Sequence, residues 1–130
     1  MHRPRGFTLV ELMAVLVITG VLAFVATSSW PAYMQRTRRA AAGAALVATL
    51  SQLELRHART GTYEGEDPKT EADGYFVTVG PCQSLNGELP RNECIELNAY
   101  PTPSQTDKVC PYLMLRSTGE RRPSNPACWP

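Results

Sequence analysis

Between Phe7 and Ala26 the chain reads Phe-Thr-Leu-Val-Glu-Leu-Met-Ala-Val-Leu-Val-Ile-Thr-Gly-Val-Leu-Ala-Phe-Val-Ala, apolar on every side apart from Glu11. A helix of that length rises about 30 Å, the thickness of a bilayer's hydrocarbon core. It cannot be one stripe of a small soluble core, and it needs lipid or other subunits around it. Arg3 and Arg5 precede the run, and no cation follows it before Arg36. That bias places the N-terminus in the cytoplasm and exports the remainder.

A secretory signal peptide would have a shorter apolar region and a small-residue cleavage site, for which Ala23, Ala26 and Ser28 are candidates. That reading leaves Glu11 without a purpose. A carboxylate within a membrane segment costs about 2–3 kcal/mol at the bilayer centre and less toward its edge, so it marks a functional residue with a partner.

The formal net charge is +1, from 13 basic and 12 acidic residues. Loss of residues 1–6 would remove Arg3 and Arg5 and leave a charge of −1. Neither balance suggests bulk attraction to nucleic acid. Eleven prolines and nine glycines favour loops and short strands beyond the helical part. The four cysteines, Cys82, Cys94, Cys110 and Cys128, follow the membrane segment and include no Cys-x-x-Cys pair. Disulfides in an oxidising compartment fit better than zinc, whose structural sites usually take two closely spaced ligands. Three connectivities are possible; the sequential one closes two short loops, each adding about 3 kcal/mol by restricting the unfolded chain.

Gly6-Phe7-Thr8-Leu9-Val10-Glu11-Leu12, behind a short basic leader, resembles the class III signal of type IV pilins and type II secretion pseudopilins. The resemblance implies that a membrane aspartyl peptidase cuts between Gly6 and Phe7 and N-methylates Phe7, while the apolar helix is kept. It implies that Glu11 meets another subunit's terminal amine during assembly. Type IV pilins commonly carry a proline where this chain has Ser28, so the kink or melted stretch associated with it is expected near Pro31 instead.

Beyond Pro31, the cluster Arg36, Arg38 and Arg39 leads into alanine-rich sequence of high helix propensity. These arginines suit lipid headgroups, a neighbour's acidic residues or a solvated face. Leu46, Leu50, Leu53 and His57 then mark an amphipathic stripe, widened by Val47, with His57 as a packing residue. The helix should stop at Gly61. From Phe7 to Thr60 it would measure about 80 Å. Residues 64–73 are expected to form a polar connection, and Tyr75–Val79, Ile95–Tyr100 and Tyr112–Arg116 to form strands.

This second half resembles type IVa pilins. Thr60-Gly61-Thr62-Tyr63 is similar to the turn after their long helix. Cys110, Leu113 to Gly119, and Cys128-Trp129 resemble the cysteine-bounded C-terminal loop of PilE-like minor pilins. Cys82 and Cys94 depart from the simplest two-cysteine pattern and suggest an additional stapled hairpin.

The expected fold is α+β: a long N-terminal helix, its first half transmembrane, packed on three or four antiparallel strands with disulfide-stapled loops. Its divisions are a cleaved leader at 1–6, a membrane and filament-core helix at 7–30, the head's amphipathic helix at 31–61, and sheet and loop at 62–130. The expected function is structural: a minor pilus subunit held in the inner membrane with a periplasmic head, then assembled into a surface filament. The implied partners are other pilin subunits, prepilin peptidase, an inner-membrane assembly platform and lipid. No catalytic motif, metal site or cofactor is expected. A secretion pseudopilin is one alternative. A DNA-uptake pilin is another, resting on Lys108, Arg116, Arg121 and Arg122 beside Tyr112 and Trp129, though Asp107 and Glu120 dilute that charge.

Overall fold

The computed structural model describes residues 6–130; the expected leader, apart from Gly6, lies outside the described residues. A single helix, α1, runs Leu9–Thr60. Thr8 caps its start, its hydroxyl accepting the Glu11 N–H at 3.3 Å. Thr60 is its last residue, and Gly61 follows at φ +78°, a backbone conformation that side chains other than glycine's resist. The chain divides into two compact units, one ending at Met34 and one spanning Gln35–Pro130.

In the first unit the apolar side chains are exposed, from Phe7 through Val25. A mean hydropathy of 2.6 accompanies complete absence of burial in the most apolar window, so the helix is long and apolar enough to cross a membrane. α1 runs on through Pro31, so the chain has no melted stretch there. Proline removes the N–H that would bond the carbonyl of Thr27, but helical pairing continues on either side. Nearby hydroxyls bond back into the same helix, Thr27 to Phe24 O, Ser28 to Val25 O and Ser29 to Val25 O.

The second unit packs the C-terminal part of α1 on a five-stranded antiparallel sheet. Its strands are β1 (Glu71–Ala72), β2 (Tyr75–Pro81), β5 (Ile95–Pro101), β6 (Leu113–Arg116) and β7 (Arg121–Arg122), adjacent in that order. A separate hairpin, β3 (Gln83–Ser84) with β4 (Gly87–Glu88), lies between β2 and β5 in the chain. The three expected strands are present. The two-residue strands at each edge carry no sequence signal, because Glu, Ala and Arg have little strand preference and become strands only by pairing with a neighbour's edge. β1 thus occupies part of the expected polar connection. It is returned to β2 by a turn in which Gly74 has φ +76°.

Register sets the core. Val77 pairs with Ala99, Val79 with Leu97, and Leu97 in turn with Leu115, so alternate side chains of three strands face the helix. Ala42, Leu46, Thr49 and Leu53 answer them from α1. Val47, expected to widen the apolar stripe, is instead 44% exposed. Thr49 takes the central place because its hydroxyl donates to Ala45 O at 2.8 Å and meets the Thr70 hydroxyl at 2.8 Å. His57 is half-buried, stacked on Tyr63 with ring centroids 4.3 Å apart, and its Nε2 lies 3.1 Å from Asn92 O.

Leu46 is fully buried in this layer. Leu46→Ala should lower the head's stability by about 2–5 kcal/mol. Denaturant unfolding of the detergent-solubilised chain checks this, with the midpoint falling while the slope is unchanged.

Candidate functional site

In the N-terminal unit the residues that the sequence marks as candidates for cleavage and assembly are Gly6, Phe7 and Glu11. Gly6 and Phe7 precede α1 in exposed, non-helical chain. Glu11 sits in the first turn of α1 and is exposed. Thr8 and Glu11 form the pattern Thr-x-x-Glu, in which the hydroxyl at the cap satisfies the N–H of the residue three places on. A negative side chain there also complements the helix dipole. The Thr-x-x-Glu spacing is itself a sequence signal for this cap.

In the head the decisive polar group is Asp107, counted in the sequence only as a charge that dilutes the basic loop. Its side chain is 2% exposed. Arg39 grips both carboxylate oxygens, Nε to Oδ2 at 2.7 Å and Nη2 to Oδ1 at 2.9 Å. Gln35 donates to Oδ2 at 2.7 Å and the Tyr75 hydroxyl at 3.2 Å, while the N–H groups of Val109 and Cys110 each reach Oδ1 at 3.0 Å. Burial by itself would raise the Asp107 carboxyl. The Arg39 hydrogen bonds, the Cys110 N–H and the Gln35 amide outweigh it and hold the group well below the usual carboxylate range. Burial, followed by the charge of Asp107, pushes the Tyr75 hydroxyl up to about 12.

Arg39 also donates to Ala127 O at 3.1 Å. One helical arginine therefore ties together the approaches to Cys110 and Cys128, which are bonded to each other. Of the arginine cluster, only Arg36 keeps an exposed side chain available to lipid or a neighbour's acids; Arg39 is committed internally and Arg38 pairs with Asp73 at 3.4 Å. The second disulfide, Cys82 to Cys94, closes the segment that carries the β3–β4 hairpin.

The four cations considered for DNA do not form one patch. Arg116 is ion-paired with Glu96 at 2.9 Å and Glu120 at 2.8 Å, and Glu120 also receives Arg122 at 2.7 Å. The Arg122 hydrogen bond is the leading reason that the Glu120 carboxyl is held below its usual range. Arg121 pairs in register with Leu115 and Arg122 with Met114, which sends their side chains to opposite faces of the sheet. Arg121 stands 5.2 Å from the centroid of the Trp129 ring, and Lys108 is exposed next to Asp107. Tyr112 is half-buried. Among the described residues there is no cluster of side chains that could hold a metal ion.

A family model described as the prokaryotic N-terminal methylation motif matches residues 1–27. A solved type IV pilin from Shewanella oneidensis superimposes with a TM-score of 0.58 and 28% sequence identity, over 73% of this chain and 97% of that one. No curated protein matches the sequence. The motif and the fold together are those of a type IV pilin with a class III signal. They support a subunit of a pilus or pseudopilus, for which the pilin fold implies assembly with other pilin subunits.

Asp107→Asn should lower stability by about 3–5 kcal/mol near neutral pH, since Arg39 keeps its buried charge without a counter-charge. The folded carboxyl titrates below the unfolded one, so its stabilising effect is complete above the unfolded value of about 4 and is lost as pH falls through the folded one. Thermal unfolding from about pH 7 to about pH 2 should show a flatter acid limb for the variant than for the parent.

Proposed function

We propose that the protein is a minor subunit of a type IV pilus, made as a precursor that prepilin peptidase cleaves between Gly6 and Phe7 and methylates at Phe7. The observation that carries this reading is an exposed Gly-Phe junction at the head of an unburied apolar helix with Glu11 in its first turn. The precursor waits in the inner membrane with its head in the periplasm. An assembly platform then moves it into the filament. There, Phe7–Ala26 supplies the apolar core and Glu11 meets the terminal amine of another subunit. Contacts of this head-to-tail kind generate helical filaments when they do not close into a ring.

The pilus is favoured over a secretion pseudopilus by the cysteine-bounded C-terminal loop, which Arg39 holds at both ends. The small head favours a minor subunit. Deletion of the gene separates the two systems: loss of surface piliation or twitching supports the pilus, whereas a selective defect in protein secretion supports the pseudopilus.

Mass spectrometry of the chain from membranes and from sheared surface filaments should find an N-methylated Phe7 at the N-terminus. A chain beginning near Ala26 or Thr27 would instead identify a secreted soluble protein.

Glu11→Val should insert into the membrane normally yet be depleted from the sheared fraction, because the partner amine loses its counter-charge and a mismatched buried charge costs several kcal/mol, about 3–5. Immunoblots of both fractions read the effect, and incorporation at the parent level would remove Glu11 from the mechanism.

A further inference from the structure

Past the apolar run, two aromatic side chains stand on one side of α1. Trp30 and Tyr33 are each 62% exposed, three residues apart, with ring centroids 6.2 Å from each other and planes tilted by 40°. Within the N-terminal unit they are the large amphipathic side chains at the end remote from Glu11. Between the run and this pair lie Thr27, Ser28 and Ser29. Their hydroxyls all donate to carbonyls of their own helix, so they can enter lipid without leaving a donor unmatched.

The spacing gives the pair a meaning. At 1.5 Å per residue, about 28 Å of helix axis separates Glu11 from Trp30, close to the roughly 30 Å of a bilayer's hydrocarbon core. Tryptophan and tyrosine favour the headgroup boundary, where an apolar ring body and a polar N–H or O–H are both accommodated. We propose that Trp30 and Tyr33 are an interfacial anchor that binds the lipid headgroup boundary on the exported side and thereby holds Glu11 at the opposite boundary. This rests on the membrane-held precursor described above. With Trp30 at one boundary, the carboxylate of Glu11 stays close to water and the Phe7 backbone nitrogen reaches the cytoplasmic headgroups, about 6 Å farther along the axis. Without the pair, Phe7–Ala26 would centre itself in the core and draw Glu11 inward.

The test uses the full-length chain in vesicles of phosphatidylcholine and phosphatidylglycerol, with bromines placed either high on the acyl chains or near their methyl ends. Subtracting the spectrum of Trp30→Phe from that of the parent isolates Trp30 and leaves Trp129, which belongs to the head, unaltered. Shallow bromines should quench the difference signal at least about twofold more strongly than deep ones. A signal quenched best by deep bromines, or one with aqueous emission and no quenching, overturns the anchor while leaving membrane insertion intact. Failure of the chain to float with the vesicles overturns the membrane-held precursor as well.

A thiol placed by Val10→Cys reads the other boundary, since the four native cysteines are bonded in pairs. A charged maleimide should label it in the parent background and label it at least about threefold less after Trp30→Leu with Tyr33→Leu, as that end sinks into hydrocarbon. Unchanged labelling would show that the aromatic pair does not set the depth.

Discussion

The bidentate pairing of Arg39 with Asp107 holds the head together at the point where helix, sheet and C-terminal loop meet. A guanidinium and a carboxylate removed from water are tolerable only when their remaining hydrogen-bonding capacity is also met. Here Gln35, Tyr75 and two backbone N–H groups meet it for the aspartate, and Ala127 O accepts a further bond from the arginine. The partners come from α1, β2 and both ends of the Cys110–Cys128 loop. The loop is thus fixed by covalent and polar ties that converge on one residue of the helix. Between those ends, β6 is also held by pairing with β5 and by burial of Leu113 and Leu115.

The two compact units have opposite relations to their surroundings. The head buries an apolar core of its own, through alternate positions of β2, β5 and β6 facing Leu46 and Leu53. The N-terminal unit satisfies none of its own, and its side chains from Phe7 to Val25 remain exposed. Lipid and neighbouring pilin subunits are both able to cover such a surface, and a subunit that moves from one to the other needs an anchor that is stable in each. Most of its backbone requirements are met within the helix, although Pro31 leaves the Thr27 carbonyl without its usual N–H donor.

Much of this was readable from residue patterns. The apolar run, Glu11, the end of α1 at Gly61 and the positions of the three principal strands follow from length, periodicity and turn chemistry, which are local properties. The edge strands at Glu71–Ala72 and Arg121–Arg122 were not readable, because their residues have no strand preference and gain it only from a neighbour's free edge. The choice of Thr49 over Val47 for the core depended on Thr70, far along the chain, standing opposite its hydroxyl. The basic cluster looked uniform in sequence, yet Arg38 and Arg39 have different acidic partners and Arg36 remains exposed.

The sequence by itself determined that one segment must be covered by lipid or by other chains, that a carboxylate lies near its start, and that the head would be small and cross-linked. Those conclusions need only side-chain polarity, spacing and the rise of a helix. Tertiary structure alone decided that Asp107 is a buried counter-charge rather than part of a solvated loop, and that Arg121 and Arg122 face apart. The reason is that a charge's role depends on what comes within hydrogen-bonding distance after folding, and Arg39 is distant from Asp107 in the chain but 2.7 Å from it in space.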